Sequence, residues 1–158
     1  MEKLQVAIIG ASGIGKNHAK WFTKHGCNVS CFLGSSPESV LRTTALLEEN
    51  FGIRARGFWE IEELLLQPLD AVCVASPPPL HYAHVRACLS ANLPVLCEKP
   101  LVYDGTLTTA KMIDQANALV HLAERRKVLL GTQMQYAVIA DHLLKMVGNK
   151  PLQRFEMN

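Results

Sequence analysis

The sequence has no C-x-x-C pair, no apolar run of bilayer length, no basic stripe, no internal repeat and no low-complexity tract. Each absence removes a class of function. No cluster of Cys or His has metal-ligand spacing, so zinc is not expected. A membrane-spanning helix needs about 20 consecutive apolar residues, and the runs here are far shorter, so no membrane partner is expected. Lys and Arg number 16 against 14 Asp and Glu, with both signs mixed along the chain. That balance argues against nucleic acid as an obligate partner. Met1-Glu2-Lys3 leads directly into an apolar strand with no signal-peptide core, which predicts a cytoplasmic location.

What is present is an ordinary globular composition. The 158 residues are 49% hydrophobic and 19% charged, enough for one domain with a substantial core. The five cysteines are Cys27, Cys31, Cys73, Cys88 and Cys97. Their number is odd, and Cys31, Cys73 and Cys97 fall in expected buried strands. They read as reduced, inert core thiols. The carboxylate of Glu98 beside Cys97 disfavours a reactive thiolate there.

Short apolar segments alternate with helix-length segments. Strands are expected at Gln5–Ile9, Asn28–Leu33, Ile53–Gly57, Asp70–Ala75, Pro94–Cys97 and Val128–Gly131. Between them helices are expected at Ile14–His25, at Pro37–Asn50 behind a Ser36 cap, at Glu60–Gln67, at His81–Ala91 and within Thr106–Arg126. In the first helix Ile14, His18, Trp21 and Phe22 have the spacing of an apolar face. Tyr136–Val147 reads as a last helix and Leu152–Met157 as the opening of another strand. Such alternation gives βαβ units, hence an α/β fold: a doubly wound, Rossmann-type parallel sheet of about six strands with helices on both faces.

Ligands of such sheets bind at the carboxyl ends of the strands. Three exits carry the chemistry. The first, Gly10-Ala11-Ser12-Gly13-Ile14-Gly15, is a glycine-rich turn opening a helix. Its free N–H groups and the helix dipole favour an anion, and a dinucleotide pyrophosphate is the usual occupant. The fingerprint places glycine at its first, third and sixth positions, held here by Gly10, Ser12 and Gly15. Gly13 is expected to take the close-approach role that Ser12 cannot fill. Alone, this turn also fits a βα connection that binds nothing. The other exits are Ser76-Pro77-Pro78-Pro79-Leu80-His81 and Glu98-Lys99-Pro100.

Together the three exits resemble the N-terminal domain of the Gfo/Idh/MocA oxidoreductases. The likeness lies in Gly-x-x-x-x-Gly-x-x-His-Ala from Gly10 to Ala19, in the Pro-containing exit that ends at His81, and most specifically in Glu98-Lys99-Pro100-Leu101. The resemblance implies an NAD or NADP cofactor and hydride transfer at a carbinol or carbonyl carbon of a sugar- or polyol-like substrate. It implies cofactor contacts at Gly10, Ser12, Gly13, Ile14 and Gly15, at Gly34, Ser35 and Ser36, at Ser76, Pro77 and His81, and at Glu98 and Lys99. Lys99 would be the catalytic group, polarising the reacting oxygen. Pro100 would fix the exit geometry, often through a cis bond in this family, and Glu98 would orient Lys99 or meet the nicotinamide end. A solvated loop lysine paired with Glu98 is the competing reading. His18 is expected to be structural.

The departures are informative. Pro78 stands where the family has asparagine, and Gln135-Tyr136 where it often has Arg-Phe. No acid follows the second strand at Gly34, where an NAD site would hold the ribose 2′-hydroxyl. Gly34-Ser35-Ser36, with Arg42 nearby, leans the choice towards NADP. No Asp-x-x-x-His pair occurs, although family enzymes carry one in a second domain. Residues 1–147 are therefore expected to form the dinucleotide-binding domain and 148–158 the start of a truncated substrate domain. The alternative is a stand-alone, non-catalytic nucleotide-binding module or a relic. Leu152, Phe155 and Met157 would lack their usual cover, so self-association into homo-oligomers or aggregates through this tail is expected. Light scattering at high concentration checks this: a clean monomer counts against it.

Overall fold

The computed structural model describes residues 2–133. The run Val6-Ala7-Ile8-Ile9 lies in the middle of the sheet with each residue at most 1% exposed. A strand covered on both faces needs such a continuous apolar run rather than alternation. The elements are β1 (Gln5–Ile9), α1 (Gly15–Lys24), β2 (Asn28–Leu33), α2 (Pro37–Phe51), β3 (Arg56–Phe58), α3 (Ile61–Leu65), β4 (Ala71–Val74), α4 (His81–Ser90), β5 (Val95–Cys97), α5 (Thr109–Arg126) and β6 (Leu130–Thr132). One 3-10 turn, Pro78–Leu80, precedes α4.

All neighbouring strands pair in parallel, in the order β3-β2-β1-β4-β5-β6. The chain winds outward from β1 to β3, then returns to lay β4 on the other side of β1. The reversal opens a crevice above the β1–β4 boundary, where open α/β sheets take ligands. Successive residues of β1 feed opposite layers. Ala7 and Ile9 join Val85, Leu89 and Leu119 from α4 and α5, while Val6 and Ile8 join Ala19, Phe32 and Leu47 from the α1–α2 side.

The α/β, doubly wound expectation holds, and β1 and β2 fall at their expected bounds. β4 and β5 begin one residue later than expected, and two strands begin later by two or three residues, for one reason. Ile53 is occupied in closing α2: Gly52 turns left-handed at φ 65°, and the Ile53 N–H donates to Leu47 O at 3.1 Å. Pairing starts only at Arg56, opposite Cys31. Val128 likewise closes α5 by donating to Ala123 O at 3.1 Å, so β6 starts at Leu130.

The first helix also differs in phase. Ile14 is 49% and Trp21 53% exposed, whereas Gly15 and Ala19 are buried and Phe22 is partly buried. A Cβ on Gly15 would collide with Gly10 O, so the closest approach of helix to strand occurs at Gly15. The buried stripe follows from there, one residue out of step with the apolar spacing in the sequence. Trp21 instead stacks on His25, with ring centroids 5.8 Å apart.

No helix among the described residues is long and apolar enough to cross a membrane. All five cysteines are free thiols, and burial pushes Cys73, Cys88 and Cys97 up to about 12, with the Glu98 charge adding to the effect at Cys73 and Cys97. No group of three or more potential metal ligands occurs among the described residues. The expected last helix, the tail strand and the domain boundary at residue 148 lie outside the described residues.

Phe32 is fully buried, and Gly57 is glycine because a Cβ there would meet the Phe32 ring at 2.7 Å. Phe32→Ala is expected to remove about 3–5 kcal/mol of folding stability. In urea unfolding this reads as a lower midpoint with an unchanged slope.

Candidate functional site

The β1–α1 turn is shaped by two close approaches. Gly10 has φ +85°, and a Cβ there would lie 2.7 Å from Ala75 O and from Ser76 N. Both the left-handed backbone and the contact with the β4 exit require glycine. At the start of α1 the Lys16 N–H donates to Gly13 O at 3.4 Å and the Asn17 N–H to Ile14 O at 2.9 Å. The N–H groups of Gly13, Ile14 and Gly15 precede these bonds and have no intrahelical acceptor. Nothing lies within 4 Å of where a Gly13 Cβ would stand, so its backbone is open to approach.

A cavity of about 520 Å³ extends from this turn across the ends of β2 and β3 and back to the β4 exit. Of the residues expected from the sequence, Gly10, Ser12, Gly34, Ser35, Ser76 and Pro77 line it. It also holds residues the sequence reading missed: Ser39 and Thr43 of α2, Trp59, Glu60 and Glu62 around the start of α3, and His84 of α4. The missed signal was positional. Trp59 to Glu62 directly follow β3, so the rule that ligands gather at strand exits already points to them.

Gly13, Ile14, Gly15 and Ser36 are not among the lining residues, and neither is Arg42. The Ser36 hydroxyl is occupied, accepting the Ser39 N–H at 3.2 Å as the cap of α2. Gly34 also has a structural reason to lack a side chain. A Cβ there would stand 3.0 Å from Val40 Cγ2 and 3.1 Å from Ser39 Oγ. An acid at this position would push the first turn of α2 away from the sheet.

The second half of the site lies beyond β4. Glu98 is 7% exposed, and both its oxygens are used. Oε1 lies 2.8 Å from His18 Nε2, and Oε2 accepts the Lys99 N–H at 3.2 Å. Lys99 is exposed, precedes a cis Lys99–Pro100 bond, and forms no ion pair among the described residues. The competing picture of a Lys99–Glu98 pair therefore does not hold; Glu98 is committed to His18. His18 is structural, as expected, and ties α1 to the β5 exit.

His81 requires a correction. It is 1% exposed, with Nδ1 2.7 Å from Pro100 O and Nε2 2.7 Å from Ser76 O. Both nitrogens face carbonyl acceptors, so neither is left for a cofactor. The residue instead staples the β4 exit to the β5 exit, because the helix starting at His81 places its ring between them. Ser76 carries the connection onward, with Oγ 2.9 Å from His84 Nδ1. His84 is held below the usual histidine range, first by burial and then by the positive charge of His81.

This gives a pH dependence of folding. The folded value of His84 lies below the unfolded value near 6.5. Both states are neutral above that range. As pH falls through 6.5 the unfolded chain takes up a proton first, so stability is lost on acidification. His84→Gln is expected to flatten the fall in urea midpoint between pH 7.5 and 5.5.

Comparison with known proteins places this geometry. A family described as "Oxidoreductase family, NAD-binding Rossmann fold" (GFO_IDH_MocA) matches residues 4–134. UDP-N-acetylglucosamine 3-dehydrogenase of Acidithiobacillus ferrooxidans is 26% identical over 130 residues, covering 82% of this chain and 36% of that protein. Inositol 2-dehydrogenase of Corynebacterium glutamicum is 32% identical over 107 residues, covering 66% and 30%. The solved structure of GenD2 from gentamicin A biosynthesis, in complex with NAD, superposes with a TM-score of 0.74 at 25% identity, over 95% of this chain and 40% of that one. The chain thus spans about a third of the length of these curated relatives. With the glycine turn, the parallel order and the Glu98-Lys99-Pro100 exit all in place, the chain belongs to the Gfo/Idh/MocA oxidoreductase family, as its NAD-binding Rossmann domain.

Proposed function

We propose that this chain is the cofactor-binding part of an NAD(P)-dependent oxidoreductase. The enzyme would transfer hydride between the nicotinamide and a carbinol or carbonyl carbon of a small sugar- or polyol-like molecule. The observation that carries this is the placement of Lys99. The residue is exposed at the β5 exit, while the glycine turn is on the other side of β4, at the end of β1. A dinucleotide held by its pyrophosphate at the turn, with its adenosine in the cavity, would turn its nicotinamide half towards the β5 exit that carries Lys99.

The residues present fit such a cofactor. The N–H groups of Gly13, Ile14 and Gly15 would hold the pyrophosphate, with Gly10 and Ser12 beneath it. Gly34 and Ser35 would border the adenine ribose, and Ser76 and Pro77 would floor the crevice. When bound, the cofactor supplies or accepts the hydride. Lys99 would hold a proton at the substrate oxygen and stabilise negative charge there as the carbonyl forms or is consumed. Glu98, fixed by His18, would hold the Lys99 backbone in place.

The lean towards NADP loses support in this setting. Arg42 stands outside the cavity lining, the Ser36 hydroxyl caps α2, and Ser35 remains as the cavity-lining serine of that turn. The work of the enzyme would be cytoplasmic, with residues 1–147 as the dinucleotide domain and self-association through the tail. A non-catalytic dinucleotide-binding module is the second reading, and it shares the glycine turn and its cavity with the first.

The purified chain is expected to bind a nicotinamide dinucleotide in calorimetry. Failure to bind NADH or NADPH would remove both readings. Turnover of a polyol panel followed at 340 nm separates them. In an enzyme that carries this domain together with its substrate domain, Lys99→Met is expected to keep binding and lose turnover by about 100-fold or more; binding with no turnover in that wild type supports the module.

A further inference from the structure

The cavity wall opposite the turn after β2 has a charge that the cofactor must meet. We propose that the carboxylates of Glu60 and Glu62 make this site select NAD(H) over its 2′-phosphorylated counterpart. The inference rests on the reading of the cavity as the adenosine half of a dinucleotide site.

Location comes first. With pyrophosphate on the β1–α1 turn, the cavity's extension over β2 and β3 places the adenine ribose between Gly34-Ser35 and the β3–α3 wall. An acid after β2 commonly selects the free ribose hydroxyl. Gly34 carries none, and a Cβ there would stand tight against Val40 Cγ2 and Ser39 Oγ at 3.0 and 3.1 Å. The acids across the cavity, Glu60 and Glu62, supply negative charge at the same ribose from the other side.

Availability comes second. Glu60 occupies the cap position of α3, but its side chain makes no capping bond. Neither Glu60 nor Glu62 forms an ion pair among the described residues. Both charges therefore act on the cavity. No Lys or Arg is among the residues lining it. A 2′-phosphate would bring a charge of about −1.5 to −2 and find no cation to offset it.

The third observation concerns the polar groups that remain. Thr43 lines the cavity at 2% exposure and brings a neutral hydroxyl, not a cation, to it. Two N–H groups beside the start of α2 are already engaged: Ser35 N donates to Ser39 Oγ at 3.4 Å and Ser39 N to Ser36 Oγ at 3.2 Å.

Glu63 provides an internal control. It shares the first turn of α3 with Glu62, but it does not line the cavity. The test titrates the 158-residue chain with NADH and NADPH by calorimetry, for the wild type, the Glu60→Gln/Glu62→Gln double variant and Glu63→Gln. Circular dichroism confirms that each is folded. The wild type is expected to bind NADH about tenfold more tightly than NADPH, with the preference shrinking as salt rises. The double variant is expected to lose most of that ratio and Glu63→Gln none of it. A wild type that prefers NADPH, or a ratio unmoved in the double variant, overturns the inference while leaving the dinucleotide reading intact. Absence of binding by either cofactor removes that reading, and this one with it.

Discussion

The close approach of Gly10 to the β4 exit sets the geometry that the site depends on. A side chain at Gly10 would have to occupy the space of Ala75 O and the Ser76 backbone. Because it has none, β1 and β4 run side by side to their ends, and the turn into α1 begins within van der Waals reach of Ser76. The anion-binding N–H groups and the floor of the cavity thereby become one surface. Gly15 then brings α1 onto β1, which places His18 within 2.8 Å of Glu98. One backbone contact at the strand-order reversal thus governs the phosphate turn, the helix phase and the carboxylate beside Lys99.

From that contact a polar chain crosses the sheet ends. His84 meets the Ser76 hydroxyl, the Ser76 carbonyl meets His81, and His81 meets the Pro100 carbonyl. On the other face of β5, His18 meets Glu98, which holds the Lys99 N–H. Loops are ordinarily the adaptable part of such folds, because their backbone groups can turn to water. Here the loops around the candidate site are fixed by side chains from helices that start beside them. The same neighbours reach into chemistry: burial and then the adjacent His81 lower His84, and burial with the Glu98 charge raises the Cys73 and Cys97 thiols.

Much of this was legible in the residues alone. The continuous run Val6–Ile9, the Ser36-Pro37 helix start and the Gly52 stop each carry a local physical signal, and each stands where that signal places it. What escaped were features decided by distant partners. The apolar spacing of Ile14, His18 and Trp21 suggested a buried face, but the collision at Gly15 with Gly10 O rotated it. His81 read as a cofactor contact through the family resemblance, although histidine at a helix start more often caps the helix or fills a polar edge of the core. Only the fold reveals two carbonyls, five and nineteen residues away, that use up its ring. Arg42 was near the turn in sequence but outside the cavity in space, whereas Glu60 and Glu62 were the reverse.

That last exchange bears on how a Rossmann domain can change its charge preference. The position after β2 is a convenient place for a selecting acid because it lies one turn from the ribose. It is also where α2 begins, and here Val40 and Ser39 pack closely against Gly34, leaving little room for a side chain. A site under that constraint can still place charge beside the ribose by using the opposite wall, since the Coulomb interaction depends on distance and not on which strand supplies the carboxylate. The β3–α3 junction is suited to this because acids in the first turn of a helix are also favoured by its dipole. Selection and local stability then draw on the same two side chains, and Glu63, which has only the second role, separates them.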